Sequence, residues 1–88
     1  MEKILQEIIE ERNRQNQLHG DYNKNITAYD SDYIMLIIDQ LGSASQVLQY
    51  LQRQKMFDET LAKEYKKQLV QVAALVVQVI EKIQLTLS

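Results

Sequence analysis

The stretch Leu69-Val70-Gln71-Val72-Ala73-Ala74-Leu75-Val76-Val77-Gln78-Val79-Ile80 decides the fold of this chain. Ten of its twelve residues are apolar, and the two exceptions are uncharged glutamines. A membrane-spanning helix needs about 20 consecutive apolar residues, so the run is short for a span. A strand of this length without Gly or Pro is unusual, and the flanking Lys-Glu-Tyr-Lys-Lys and Glu-Lys-Ile-Gln segments favour a helix. The run therefore predicts a helix with more apolar surface than this chain alone can cover.

Composition restricts the class of protein. The 88 residues predict one domain over positions 1–88, and a chain this small gains from burial between subunits. The absence of Cys excludes disulfides and thiolate metal sites, and the absence of Pro suits long helices. A net charge of −2 favours neither nucleic acid nor an anionic membrane as partner. The polar N-terminus does not read as a signal peptide, so a cytoplasmic helical protein is expected.

Apolar periodicity predicts three helices, over residues 2–18, 32–54 and 59 to near the end. Residues 20–31 are rich in Asn, Asp, Ser and Thr, which predicts a loop long enough to suggest a functional role. Asp30 or Ser31 is the expected N-cap of the second helix, and Asp58 that of the third. The short link before Asp58 predicts that the second and third helices are antiparallel neighbours.

The second helix carries a heptad-like series typical of helix packing, formed by Ile34, Ile37, Leu41, Ala44, Leu48 and Leu51. Together with the apolar run of the third helix, it predicts an all-α fold that associates through these two helices. We expect a homodimer with a four-helix core, or a higher homo-oligomer.

Polar residues inside these helices are the candidates for a site. On the second helix Asp39, Gly42, Ser43 and Gln46 share one face, and on the third helix Glu64, Gln68, Gln71 and Gln78 fall on one stripe. In an antiparallel pair the two sets could face each other across a slot. Helical bundles build ligand and metal sites in such slots, and this one would hold mostly amides.

Three blocks carry a resemblance to a known family: Glu11-Arg12-Asn13-Arg14-Gln15 with His19-Gly20, then Ile37-Ile38-Asp39-Gln40-Leu41-Gly42-Ser43-Ala44, then Gln68-Leu69-Val70-Gln71-Val72-Ala73-Ala74. In order and spacing they resemble the small MazG-like nucleoside triphosphate pyrophosphohydrolases, in particular the short phage and prophage type. The resemblance implies an all-α fold and nucleotide hydrolysis that depends on Mg²⁺ held by carboxylates.

The metal positions that the resemblance implies fall on Asp39, Gln40, Ser43, Gln68 and Gln71, so one carboxylate remains of five. Mg²⁺ is held mainly by anionic oxygens, and metal-assisted attack of water on a pyrophosphate needs that ion. Hydrolysis by the family mechanism is therefore expected to be lost, with Asp39 the one candidate metal ligand left. We expect no cofactor, and Mg²⁺ only if the chain hydrolyses nucleotides.

Binding remains as the expected activity, with a nucleotide or a protein as partner. The candidate ligand-binding residues are Arg12 and Arg14 for phosphates, Gln15, Gln68 and Gln71 for a base or sugar, Tyr22 and Tyr33 for stacking, and His19, Asp39 and Ser43 around them. Each also has an ordinary structural interpretation, such as a solvated face for the arginines or inter-helix hydrogen bonds for the glutamines. Two other functions stay open: an active Mg²⁺-dependent pyrophosphohydrolase with an altered site, and a phage-type structural or regulatory protein that inhibits a host factor.

Overall fold

The computed structural model describes residues 1–19 and 30–87, and within these ranges all regular structure is helical. The helices are α1 (Glu2–His19), α2 (Asp30–Arg53) and α3 (Glu59–Leu87). The predicted all-α class and the three helices are confirmed. Helix α2 begins at Asp30, two residues earlier than the pattern predicts, and the 20–29 segment with Tyr22 lies outside the described residues.

Helix α3 is the centre of the fold. Helices α1 and α2 both pack on it, and over the described ranges they do not pack on each other. Helix α2 runs antiparallel to α3, because Tyr33 near its start lies at Lys82 and Gln40 further along bonds to Gln71. The sequence-based expectation of an antiparallel pair agrees with this geometry. Two sides of the apolar helix α3 are therefore covered within one chain, one by α1 and one by α2.

Helix α1 runs parallel to α3 on its other flank. Glu7 pairs with Lys66, and five residues later Arg12 pairs with Glu81, so both helices advance in the same direction. The polar half of α1 packs on α3 rather than facing only water. This explains why the apolar stripe of α1 can stop at Ile9 while the helix continues to His19.

The α2 surface that lies against α3 contains four of the six residues of the predicted series and extends to Tyr33, Gln40 and Val47 on one side. Residues of α2 that are buried or half-buried are Tyr33, Ile37, Gln40, Ala44, Val47, Leu48 and Leu51. Ile34 and Leu41, which the heptad-like pattern places in the contact, remain exposed in the protomer. Tyr33 is buried at the start of the contact, one residue before Ile34, and its ring lies under the Lys82 ammonium.

Helix α3 is long and apolar enough, by length and composition alone, to cross a membrane. This is weak evidence, because the core helix of a soluble protein passes the same test. Both of its flanks are occupied by polar contacts from α1 and α2.

The start of α3 depends on a side-chain cap that the sequence predicts. The Oδ1 atom of Asp58 accepts a hydrogen bond of 3.1 Å from the Leu61 backbone N–H. An Asp58→Ala variant should lose about 1 kcal/mol of unfolding free energy, because that N–H loses its partner. Asp58→Asn keeps an acceptor at the same position and should stay close to the parent. Urea denaturation followed by circular dichroism measures both, and equal losses in the two variants would contradict the capping role.

Candidate functional site

Four glutamines form a hydrogen-bonded polar layer across the three helices, made of Gln15 on α1, Gln40 on α2 and Gln71 and Gln78 on α3. The Gln15 Nε2 group donates to the Gln71 backbone oxygen at 3.2 Å, and Gln78 Nε2 donates to Gln15 Oε1 at 2.6 Å. Gln40 Nε2 donates to Gln71 Oε1 at 2.7 Å. The polar layer therefore links α2 to α3 and α3 to α1.

Burial makes this layer an important determinant of the fold. Gln15 is 5 % exposed and Gln78 is fully buried. A satisfied hydrogen bond adds about 1 kcal/mol, but a buried amide that loses its partner costs about 1–3 kcal/mol. Alternative registers of α1 on α3 that separate Gln15 from Gln78 are therefore penalised. Sequence reasoning counted Gln78 in the polar stripe but did not include it among the binding residues.

Both candidate phosphate-binding arginines are engaged within the chain. Arg12 makes a bidentate pair with Glu81, with Nε and Nη2 at 2.7 and 2.9 Å from the two carboxylate oxygens. Arg14 makes a similar pair with Glu11 on its own helix, at 2.7 and 2.6 Å. Sequence alone could not reveal the partner of Arg12, because Glu81 is 69 residues away, whereas the Arg14–Glu11 pair has the ordinary i, i+3 spacing of neighbours on one helix. A phosphate would have to compete with a carboxylate for either guanidinium.

Tyr33 and Lys82 form a buried pair that the sequence pattern did not identify as a pair. The Lys82 Nζ atom lies 4.5 Å from the centre of the Tyr33 ring, and Lys82 is 1 % exposed. Its spacing of i+4 from Gln78 and i+7 from Leu75 places Lys82 on the buried side of α3, which is the signal that could have found it. Tyr33 was expected to stack on a base, and its ring is occupied by this ammonium contact.

The expected slot between Asp39, Ser43 and the glutamines of α3 does not form in the described protomer. Asp39 and Ser43 are exposed, as are Gly42 and Gln46, and Gln40 rather than Asp39 meets Gln71. These four residues lie on the side of α2 away from the buried Tyr33 and Ala44. Gln68 is half-buried and donates to Glu64 within α3 at 3.1 Å.

The residues at the implied metal positions do not fit Mg²⁺. Asp39 is the one carboxylate among them and is exposed, and the amides of Gln40 and Gln71 bond to each other. In the described ranges no group of three His, Cys, Asp or Glu residues converges. Mg²⁺ prefers several anionic oxygens, and these positions supply a single carboxylate. The side chain of His19 and all of Tyr22 lie outside the part of the chain that can be described.

A charged cleft lies between α1 and α3 beside the polar layer. It has a volume of about 330 Å³ and is lined by Val70, Gln71 and five charged residues, namely Glu7, Glu11, Lys63, Lys66 and Lys67. Lys66 pairs with Glu7 at 3.0 Å, and Lys63 pairs with Glu59 at 3.2 Å. The three lysines were not among the predicted site residues, and their clustering could have indicated an anion-binding surface.

Glu11 should make stability depend on pH. The Arg14 hydrogen bonds lower the pKa of this carboxyl below its ordinary value of 4.5; burial opposes them, and Gln15 and Lys67 lower the pKa further. A depressed folded pKa contributes stability that is full above 4.5 and is lost as pH falls through the lower folded value. Glu11→Gln should therefore show a smaller fall in melting temperature between pH 6 and about pH 3 than the parent.

The control for this prediction is Glu10→Gln, on the exposed side of the same helix. It should retain the parental fall in melting temperature, measured by circular dichroism. Equal flattening of the pH dependence in both variants would show that general helix charge, and not the Glu11 site, is responsible.

The fold and the site define a three-helix protein in which a polar layer joins a central apolar helix to its two neighbours. Comparisons with protein-family models, with curated proteins and with solved structures found no significant match.

Proposed function

We propose that this chain is a self-associating helical binding protein of the MazG-like type, which acts by binding rather than by metal-dependent hydrolysis. The observation that carries the proposal is an uncovered apolar surface, called here the open face. It consists of Ile34, Ile38 and Leu41 on α2 and Leu69, Val76, Ile80 and Ile83 on α3, all exposed in the protomer.

The two halves of the open face lie side by side. On each helix the residues recur every three, four or seven positions, which places them on one side. Gln40 and Gln71 mark the opposite edge of the α2–α3 contact. The antiparallel pairing also sets Ile34 to Leu41 alongside the part of α3 between Gln71 and Lys82. The stripes of α2 and α3 thus form one continuous patch.

The exposed area supports a second copy as the cover for this patch. The chain exposes 6567 Å², whereas a folded monomer of its mass, 10.3 kDa, exposes about 5,400 Å². Each partner buries roughly 800 Å² in a standard interface, and the seven exposed apolar residues of the open face lie within that exposed surface. Two copies related by a twofold axis would bring α2 and α3 of each into a four-helix core.

The binding role, as opposed to hydrolysis, is supported by the chemistry of the implied metal positions. Four of the five carry amides or a serine, and their one carboxylate, Asp39, faces away from the polar layer. The MazG-like assignment rests on the three sequence blocks and on their order. We keep the cytoplasm as the proposed location.

Light scattering tests the association directly. A mass of twice 10.3 kDa or more at micromolar concentration is the expected result, and a monomer at that concentration would refute it. Nucleoside triphosphates incubated with Mg²⁺ or Mn²⁺ should release no phosphate or pyrophosphate. Release that Asp39→Asn abolishes would instead establish an active hydrolase with an altered site.

A nucleotide is the second candidate ligand, and the charged cleft favours it. Lys63, Lys66 and Lys67 line the cleft together with Glu7 and Glu11, and its volume of about 330 Å³ is that of a small-molecule site. Calorimetry with mono-, tri- and cyclic nucleotides, with and without Mg²⁺, decides whether the cleft binds them. Binding that Lys67→Glu removes, while the exposed-site control Lys55→Glu retains it, would support this candidate. If no nucleotide gives heat, protein association remains the sole proposed role.

A further inference from the structure

An apolar groove runs between α1 and the first half of α3. It has a volume of about 420 Å³ and is lined mainly by Ile4, Ile8, Ala62, Tyr65, Leu69 and Ala73. The lining is almost entirely apolar and shares Leu69 with the open face. A groove of this size and chemistry accommodates two or three aliphatic side chains. It lies at the edge of the α1–α3 contact, where Ile4 and Ile8 of α1 form one wall and α3 forms the other.

The apolar residues of α3 that line the groove and the open face have nearly the same spacing when they are followed from either end of the helix. They run through the groove and the open face to the last turn. Three pairs of them are centred on a point between residues 74 and 75: Ala62 with Leu87, Leu69 with Ile80, and Ala73 with Val76. Tyr65 and Ile83 are centred half a residue away from this point, at residue 74. A twofold axis at that point would lay two α3 helices antiparallel with apolar residues opposed along their length. The α2 part of the open face is centred at the same level.

From this register we infer that the last turn of the partner's α3 occupies the apolar groove, with Leu87 of the partner subunit as the anchor. The inference rests on the proposed self-association and specifies where the partner's α3 helix binds. Leu87 is 76 % exposed in the protomer, and the groove is open beside Ala62 and Tyr65. One contact would bury both, and the twofold axis would repeat it at the other end of the dimer.

Cross-linking tests the register, because the chain has no cysteine of its own. Residues 62 and 87 lie 25 positions apart on one helix, about 38 Å, so a short bismaleimide cannot join them within a chain. The double variant Ala62→Cys/Leu87→Cys should give a covalent dimer, and each single variant should stay uncoupled. Val76→Cys, close to the proposed axis, should couple to its own copy and reports association independently.

The outcomes separate the inference from the proposed function. Coupling of Val76→Cys without coupling of the double variant overturns the inference and leaves the dimer in place. Coupling of Ala62→Cys alone indicates parallel helices and also overturns it. If neither the double variant nor Val76→Cys couples, the self-association fails and the inference fails with it.

A binding measurement gives the size of the contact. Leu87→Gln should raise the dimer dissociation constant by roughly tenfold or more, since a buried leucine is exchanged for an amide. Phe57→Gln is the matched control, because Phe57 is 77 % exposed but lies in the α2–α3 link. An unchanged dissociation constant for Leu87→Gln, or equal losses in the two variants, would overturn the inference.

Discussion

Val76→Glu is expected to convert the dimer into monomers at micromolar concentration. Val76 lies near the middle of the open face and is 38 % exposed in the protomer, so a glutamate side chain can reach water while the chain is alone. In the dimer the twofold axis would bring two such carboxylates together in an apolar contact. An unpaired buried charge costs about 3–5 kcal/mol, which corresponds to a rise in dissociation constant of roughly a thousandfold.

Sedimentation or light scattering over a concentration series measures this change, and circular dichroism checks that the helices remain. The matched control is Met35→Glu, which introduces the same charge at an exposed apolar position of α2 outside the open face. It should leave the oligomeric mass unchanged. Dissociation by both variants would mean that association depends on net charge or on a different surface.

Gln15→Leu is expected to give the largest loss of stability among substitutions in the polar layer. Gln15 is 5 % exposed and holds three contacts: it donates to Glu11 and to the Gln71 backbone oxygen, and it accepts from Gln78. Leucine has similar length but leaves the fully buried Gln78 amide and the Gln71 carbonyl without these partners. The loss should be about 2–4 kcal/mol of unfolding free energy.

A second substitution distinguishes lost hydrogen bonds from altered packing. In Gln15→Leu/Gln78→Leu both partners are apolar, so much of the loss should be recovered, because no buried amide is left unpaired between them. Gln17→Leu, exposed on the same helix, should stay within about 0.5 kcal/mol of the parent. Urea titrations give all these values, and a double variant less stable than Gln15→Leu would contradict the argument.

The helices were predictable because their signals are local. Asp58 caps α3 through a bond to a residue three positions away, and the run from Leu69 to Ile80 is helical because its flanks favour a helix. The sequence also predicted that α3 has more apolar surface than one chain can cover. In the protomer two sides of α3 are covered and a third is left open. Each of these features depends on residues close together in the chain.

The candidate site was less predictable, because its partners are far apart in sequence. The pairing of Arg12 with Glu81 and of Gln15 with Gln78 joins residues more than 60 positions apart. Helical spacing placed Asp39 and Ser43 on one face correctly, but spacing cannot say which face turns toward α3. Gln40, the next residue along the chain, lies in the contact and bonds to Gln71, whereas Asp39 is exposed.

By itself the sequence determined an all-helical chain with a central apolar helix and a surplus of apolar surface, because periodicity and composition are local and additive. The tertiary structure alone decided that the glutamines bond to one another instead of lining a slot, that Arg12 pairs with Glu81, and that one face is left uncovered. The physical reason is that the rotation of each helix about its own axis is set by which side chains it buries, here Tyr33, Ala44 and the core of α3. This burial depends on the packing of all three helices together.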